Sequence, residues 1–210
     1  MTTHQTVTTI VNYGTGNIGS IANMLKHVGA LTSIASSPGE IEKAEKLILP
    51  GVGSFDAAMR RLDELGMLPI LHEKVTGLKT PILGICLGMQ LCTEQSEEGA
   101  LPGLGWIKAK TVRFRFNGGP RELRIPHMGW NSVKIRKASP LFGGTSEELR
   151  FYFLHSYHVV CTNEADILTT TTHGYDFVSS FSRDNIIGVQ FHPEKSHRFG
   201  MELLRNFTTC

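Results

Sequence analysis

Pro81-Ile82-Leu83-Gly84-Ile85-Cys86-Leu87-Gly88 is the stretch that decides how the chain is read. Pro81–Ile85 is short and apolar, the pattern of a strand buried on both faces of a sheet. Leu87–Glu94 then reads as helix. Between them, Gly84 to Gly88 spell G-x-C-x-G, the form of a nucleophile elbow with Cys in place of Ser. So sharp a turn leaves its central residue strained at the carboxyl end of the sheet. Glycines two residues to either side let neighbouring backbones pass close. The thiol stands at a helix N-terminus, where the dipole favours thiolate. The N–H of Leu87 is placed to meet an oxyanion. Taken alone, the motif leaves a buried structural cysteine equally open, because free Cys is often a small core residue.

Working outward, the first half alternates strand and helix. Strands are expected at Val7–Val11, Leu31–Ala35 and Leu47–Leu49, the last stopped by Pro50-Gly51. Helices are expected at Ile18–Gly29, Phe55–Leu65 and Leu68–Thr76. This rhythm implies a mainly parallel sheet with helices on both faces. The second half changes character. Val112–Phe116 alternates apolar and basic residues before an Asn117-Gly118 turn. Phe151–Cys161, Asp166–Thr172, Tyr175–Phe181 and Ile186–Phe191 read as strands, and Gly200–Phe207 as a closing helix. The expectation is an α/β fold, a mainly parallel mixed sheet with an appended antiparallel portion, forming one domain over residues 1–210.

Composition narrows the function classes. Of 210 residues, 40% are hydrophobic, enough for a sizeable core, and the net charge of +2 is too small to argue for nucleic acid or a membrane surface. No run approaches the roughly 18 apolar residues that span a bilayer. The N-terminus lacks the charged and apolar regions of an export signal. A soluble cytoplasmic protein is expected. Cys86, Cys92, Cys161 and Cys210 match no metal-ligand spacing, so neither metal nor cofactor is expected. Cys92 and Cys161 read as packing residues.

A thiolate nucleophile needs a base and a group to orient it. The run Ile186–Phe191 leads straight into His192-Pro193-Glu194. Pro193 keeps His192 extended, and residues two apart in an extended segment point the same way. Glu194 can then fix the His192 tautomer and stabilise its cation, giving a Cys86-His192-Glu194 triad. A second motif, Gly14-Thr15-Gly16-Asn17-Ile18-Gly19, spells the dinucleotide fingerprint. The second strand lacks the acidic residue that would hold a ribose; Glu40 lies past Pro38-Gly39. These glycines read as a tight strand-to-helix turn.

Gly84-Ile-Cys86-Leu-Gly88-Met-Gln90 with His192-Pro-Glu194 resembles the class I (triad) glutamine amidotransferases. Further stretches resemble one branch, the HisH family, the glutaminase subunit of imidazole glycerol phosphate synthase. They are Asn12–Asn17, Pro50–Phe55, Pro126-His-Met-Gly-Trp-Asn131 and Phe153–Tyr157. The resemblance covers nearly the whole chain. It implies that Cys86 attacks the side-chain amide of glutamine, that His192 moves the protons and that Glu194 holds His192. It places Leu87, Val52 and Gly53 at the oxyanion, and Gly51, Gln90, Glu98, Ser156 and Tyr157 around the substrate, with Glu97 as the competing acid. It implies a (β/α)8 barrel cyclase partner in a heterodimer. That partner uses the ammonia to make imidazole glycerol phosphate and aminoimidazole carboxamide ribotide in histidine synthesis. Asn12–Gly19 would lie at the docking edge, and Trp130 reads equally as interface or core.

Three alternatives remain at this point. One is a paralogue feeding sugar amidation in surface-polysaccharide synthesis, another a stand-alone cysteine hydrolase, the third a non-catalytic module. The basic stretch Lys108–Arg124 reads as the wet face of a hairpin, with a surface for a partner's acidic patch as the alternative.

Overall fold

Alternating buried runs and amphipathic stretches give strand and helix in turn through the first half. The structure, a computed structural model, describes residues 6–116, 123–143 and 148–210. In chain order it begins with β1 (Thr8–Val11), α1 (Ile18–His27), β2 (Thr32–Ala35), α2 (Pro38–Glu42) and β3 (Lys46–Gly51). Helices α3 (Phe55–Glu64) and α4 (Met67–His72) follow, then β4 (Ile82–Cys86) and α5 (Leu87–Leu91). The second half holds β5 (Gln95–Ser96), β6 (Ala109–Arg113), β7 (His127–Ser132), β8 (Lys134–Ile135), β9 (Arg150–His155) and β10 (Tyr157–Cys161). It ends with β11 (Ile167–His173), β12 (Tyr175–Arg183), β13 (Ile186–Val189) and α6 (His197–Thr209).

The main sheet runs β2-β1-β3-β4-β13-β12-β10-β6-β5, with β11 and β8 branching from β12. From β2 to β13 every pairing is parallel. From β13 onward the sheet turns antiparallel through β12, β10 and β6. Strands β7 and β9 form a separate antiparallel pair. This is the expected mixed sheet with its antiparallel portion.

Side chains alternate across the parallel strands and build two cores. Val11, Leu47, Leu49 and Ile82 pack with Ile41 of α2 and with Phe55 and Leu62 of α3. Ile10, Ile48, Leu83 and Ile85 pack on the other face with Ile21 and Leu25 of α1 and Leu203, Leu204 and Phe207 of α6. Each such aliphatic side chain, fully buried, contributes about 1.5–3 kcal/mol.

Several boundaries differ from the sequence reading, each for a tertiary reason. The helix expected over Leu87–Glu94 stops at Leu91, because the chain turns and Glu94 N–H donates to Ala109 O. The Leu68–Thr76 helix ends its regular part at His72 and widens into a π turn over Glu73–Gly77. The strand expected over Val112–Phe116 lies at Ala109–Arg113, where β10 fixes its register. Phe151–Cys161 is two strands, since the chain leaves one sheet for the other at Ser156. β7 and β8 have no counterpart in the sequence reading. The Asn117-Gly118 turn, Arg121 and Glu122 lie outside the described residues.

Candidate active site

Cys86 closes β4 with φ 54 and ψ −108, a left-handed conformation that few side-chain-bearing residues adopt. Its flanking glycines are needed for space. A Cβ on Gly88 would stand 1.8 Å from Leu49 O, and one on Gly84 would stand 2.7 Å from Gly88 O. Gly51 is opposite Cys86 in the β3–β4 register, and Val189 is opposite Ile85 in β4–β13. The segments leaving β3, β4 and β13 therefore emerge together at the carboxyl edge of the parallel sheet, where open α/β sheets hold their ligands.

The third of these segments carries the histidine. His192 N–H donates to Tyr152 O at 2.9 Å, and Ser196 Oγ donates to His192 O at 2.6 Å. The chain then makes a 3₁₀ turn over Pro193–Lys195, which brings Glu194 back beside the imidazole. His192 Nδ1 stands 2.9 Å from Glu194 Oε1. Burial alone would lower the basicity of His192, but the neighbouring Cys86 sulfur and the Glu194 carboxylate outweigh it and raise its pKa to about 10. Burial would raise Glu194, yet its hydrogen bond and charge pairing with His192 hold it below the usual carboxylate value. The arrangement stabilises an imidazolium between a sulfur and a carboxylate, which is what a thiolate nucleophile with a proton donor requires.

Cys86 and His192 line a cavity of about 360 Å³. Leu87, Gln90 and Glu98 line it as well, as do Val52 and Gly53 on one side and Ser156 and Tyr157 on another. Of the expected site residues, Gly51 and Glu194 do not line the cavity, Glu194 standing against His192 instead. Gly51 is buried behind the cavity, where an added Cβ would stand 2.7 Å from the Tyr13 hydroxyl and 2.8 Å from Leu87 Cβ. The two acids separate clearly. Glu97 turns outward, accepting from Arg113 N–H at 2.8 Å and from Arg115 at 3.0 Å. Those bonds hold it below the usual carboxylate value. Glu98 faces the cavity, with Oε2 accepting from the Phe55 N–H at 2.9 Å.

The loop after β3 is held in a particular state. Val52 N–H donates to Thr15 Oγ1 at 3.2 Å, and Thr15 Oγ1 donates to Val52 O at 3.1 Å. The Val52 N–H, expected at an oxyanion, is thus already taken. Leu87 begins α5, in the first turn, whose N–H groups have no partner within the helix.

Three residues in this neighbourhood escaped the sequence reading. Asn17, just before α1, donates from Nδ2 to Glu194 Oε1 at 2.8 Å, so the Gly14–Gly19 turn braces the carboxylate of the triad. Thr15 belongs to the same turn and grips Val52. Gln190 is fully buried and donates from Nε2 to Cys86 Sγ at 3.7 Å. A polar side chain at the end of a buried strand was the available signal, since it must find a partner there. Trp130 is 40% exposed and stacks on His197 at 5.5 Å, which removes the core alternative. Cys92 is buried, and Cys161 partly so, as packing residues would be; burial raises the thiol pKa of both, Cys161 to about 12. Among the described residues, no group of three or more His, Cys, Asp or Glu is arranged to hold a metal ion.

Comparison with known proteins adds to this geometry. The family model described as "Glutamine amidotransferase class-I" matches residues 9–209. The chain is 54% identical over 198 residues to "Imidazole glycerol phosphate synthase subunit HisH 2" of Methanococcus maripaludis, covering 94% of this chain and 96% of that protein. It is 48% identical over 198 residues to the protein of the same name from Pseudomonas aeruginosa, covering 94% and 96%. Among solved structures, that of a putative GMP synthase component from Thermoplasma acidophilum superposes with a TM-score of 0.73. That match has 20% identity and covers 98% of this chain and 94% of that one, a likeness of fold.

Proposed function

The chain belongs to the class-I glutamine amidotransferase family, in the HisH branch, and from that premise we propose that it is the glutaminase subunit of an imidazole glycerol phosphate synthase. It hydrolyses glutamine to glutamate and ammonia and hands the ammonia to a synthase subunit in histidine biosynthesis. The observation that carries the reading is the buried His192–Glu194 contact at 2.9 Å, with His192 and Cys86 lining one cavity.

In this reading the Cys86 sulfur attacks the carboxamide carbon of glutamine. Negative charge passes to the carboxamide oxygen, which meets the Leu87 N–H and the Val52–Gly53 backbone once the Val52 peptide leaves Thr15. His192 gives its proton to the departing nitrogen, and ammonia leaves as the thioester forms. His192 then takes a proton from water as that water attacks the thioester, releasing glutamate and restoring the thiolate–imidazolium pair. Glu194 orients His192 throughout, braced by Asn17. Glu98 pairs with the substrate ammonium, while Gln90 and the Ser156–Tyr157 backbone shape the pocket. No cofactor or metal takes part.

The partner is a (β/α)8 barrel cyclase bound as a heterodimer in the cytoplasm, and the lyase-type step that uses the ammonia falls to it. On this chain its docking face includes Val52, an exposed apolar residue lining the cavity, with Met128 and Trp130, exposed on β7 just after the cavity-lining Pro126. Residues 1–210 act as one amidotransferase domain. No helix among the described residues is long and apolar enough to cross a membrane. The names of the relatives favour the histidine pathway over sugar amidation. Glutamate release measured with and without the barrel protein tests the reading. Activity that rises on adding the barrel is expected; full activity alone, indifferent to the barrel, would favour a stand-alone hydrolase.

A further inference from the structure

A buried chain of hydrogen bonds reaches the nucleophile through Gln190. Gln190 precedes His192 by two residues and is fully buried, and Gln90 is 4% exposed. Gln90 Nε2 donates to Tyr157 O at 3.1 Å and to Gln190 Oε1 at 3.0 Å. Those two bonds use both of its N–H groups. With Gln190 Oε1 so occupied, its Nε2 is turned toward Cys86 Sγ, 3.7 Å away. The amide cannot flip without breaking the bond to Gln90 and facing two donors toward each other.

The anchor of this chain is itself fixed. Tyr157 O also accepts from His155 Nδ1 at 2.7 Å. His155 Nε2 then faces His127 Nδ1 at 3.0 Å, and His127 Nε2 faces Asn131 Nδ2 at 3.1 Å. Burial keeps both histidines neutral at ordinary pH, with His127 lowered to about 3. Each therefore donates through one ring nitrogen and accepts through the other, which gives a single consistent direction from Asn131 to Tyr157 O.

We propose that Gln190 is a further residue of the catalytic machinery, its locked amide donating to the Cys86 sulfur and favouring the ionised, correctly placed nucleophile. The inference rests on the glutaminase reading and deepens it. A sulfur anion gains more from a fixed N–H donor than a neutral thiol does, so the bond biases ionisation as well as position. When Cys86 is a thiol, its S–H lies 3.9 Å from Leu154 O. Once ionised, the sulfur is left with His192 and Gln190 as its polar neighbours. The other titratable groups around it are Glu194 beyond His192, Tyr13 and Cys92 behind the elbow, and Glu98, His155 and Lys195 along the cavity.

The test is the pH profile of Cys86 alkylation by iodoacetamide, read by mass spectrometry on the full chain, for wild type, Gln190→Met and Gln190→Leu. Removing the amide is expected to move the midpoint up by about one unit and to slow alkylation at neutral pH about tenfold. Glutaminase kcat should fall with it while KM for glutamine changes less than about twofold. A variant profile that superposes on wild type, or a change confined to KM, overturns the proposal. A wild-type measurement stands independent of variant folding. The Gln190 side-chain amide proton resonance should shift across the pH range in which Cys86 becomes reactive, and a resonance flat across that range equally overturns it. Alkylation does not depend on the substrate. A wild type that alkylates normally yet releases no glutamate, alone or with the barrel, would defeat the glutaminase reading instead.

Discussion

At residue 192 the balance of three effects sets the chemistry. Burial pushes the imidazole toward neutrality, while Cys86 and Glu194 pull it toward the cation and win. Glu194→Gln removes the charged partner but keeps the shape. His192 should then release its proton at lower pH. Because in the proposed mechanism the imidazolium protonates the departing ammonia, the alkaline limb of kcat/KM should move down by about one unit. The pH–rate profile checks this, and an unmoved limb would mean that Cys86 alone sets the His192 proton affinity. His192→Ala should cost more activity than Glu194→Gln, since it removes the proton carrier rather than its support. The residues legible from sequence at this scale were those that punctuate the backbone or carry the reaction. Cys86 announced itself through its glycines, and Glu194 through its offset of two from His192. Asn17, Thr15 and Gln190 did not, because each acts through a partner that only the fold supplies: Glu194, Val52 and Cys86.

Elements bring these residues together, and two contacts between elements lend themselves to measurement. The turn before α1 grips the loop after β3 through Thr15 and Val52, and Tyr13 adds a hydroxyl donation to Pro50 O at 2.7 Å. Thr15→Val leaves the Val52 N–H without this partner and frees the peptide to face the cavity. Glutaminase activity without the barrel should rise about two- to tenfold, the scale of one neutral hydrogen bond. An unchanged or lower rate would show that the grip does not restrain the loop. At the far end of the sheet, Lys46 on β3 ties down α6. Its Nζ donates to the carbonyls of Phe207, Thr208 and Cys210 at 2.7, 3.2 and 2.6 Å, a cation set against a helix C-terminus. Lys46→Met should destabilise the protein by about 1.5–3 kcal/mol in urea unfolding. A smaller loss would mean that water replaces those bonds freely. The parallel half was legible because buried strands and amphipathic helices carry strong periodicity. β7 was not, because in His127–Ser132 the apolar Met128 and Trp130 face outward while the polar His127 is buried, and its strand form comes from pairing with β9, which begins eighteen residues after it ends.

For the molecule as a whole, the proposed division of labour separates making ammonia from using it. In that proposal the second subunit seals the passage, since ammonia released into water would largely protonate. Cys86→Ala should abolish glutamine-dependent synthesis by the complex while leaving synthesis from added ammonium salts intact. Loss of both would contradict two separate centres. The basic stretch shows the limit of reading a surface from sequence. Arg115 pairs with Glu97 at 3.0 Å, so part of that charge is spoken for within the chain.

The pairing of β4 with β13 joins segments about a hundred positions apart, Ile82 against Ile186 at one end and Ile85 against Val189 at the other. During translation, the nucleophile leaves the ribosome long before its proton carrier. A product abandoned short of residue 186 lacks the strand that presents His192 and Glu194, so prematurely released polypeptides cannot drain the cell's glutamine pool.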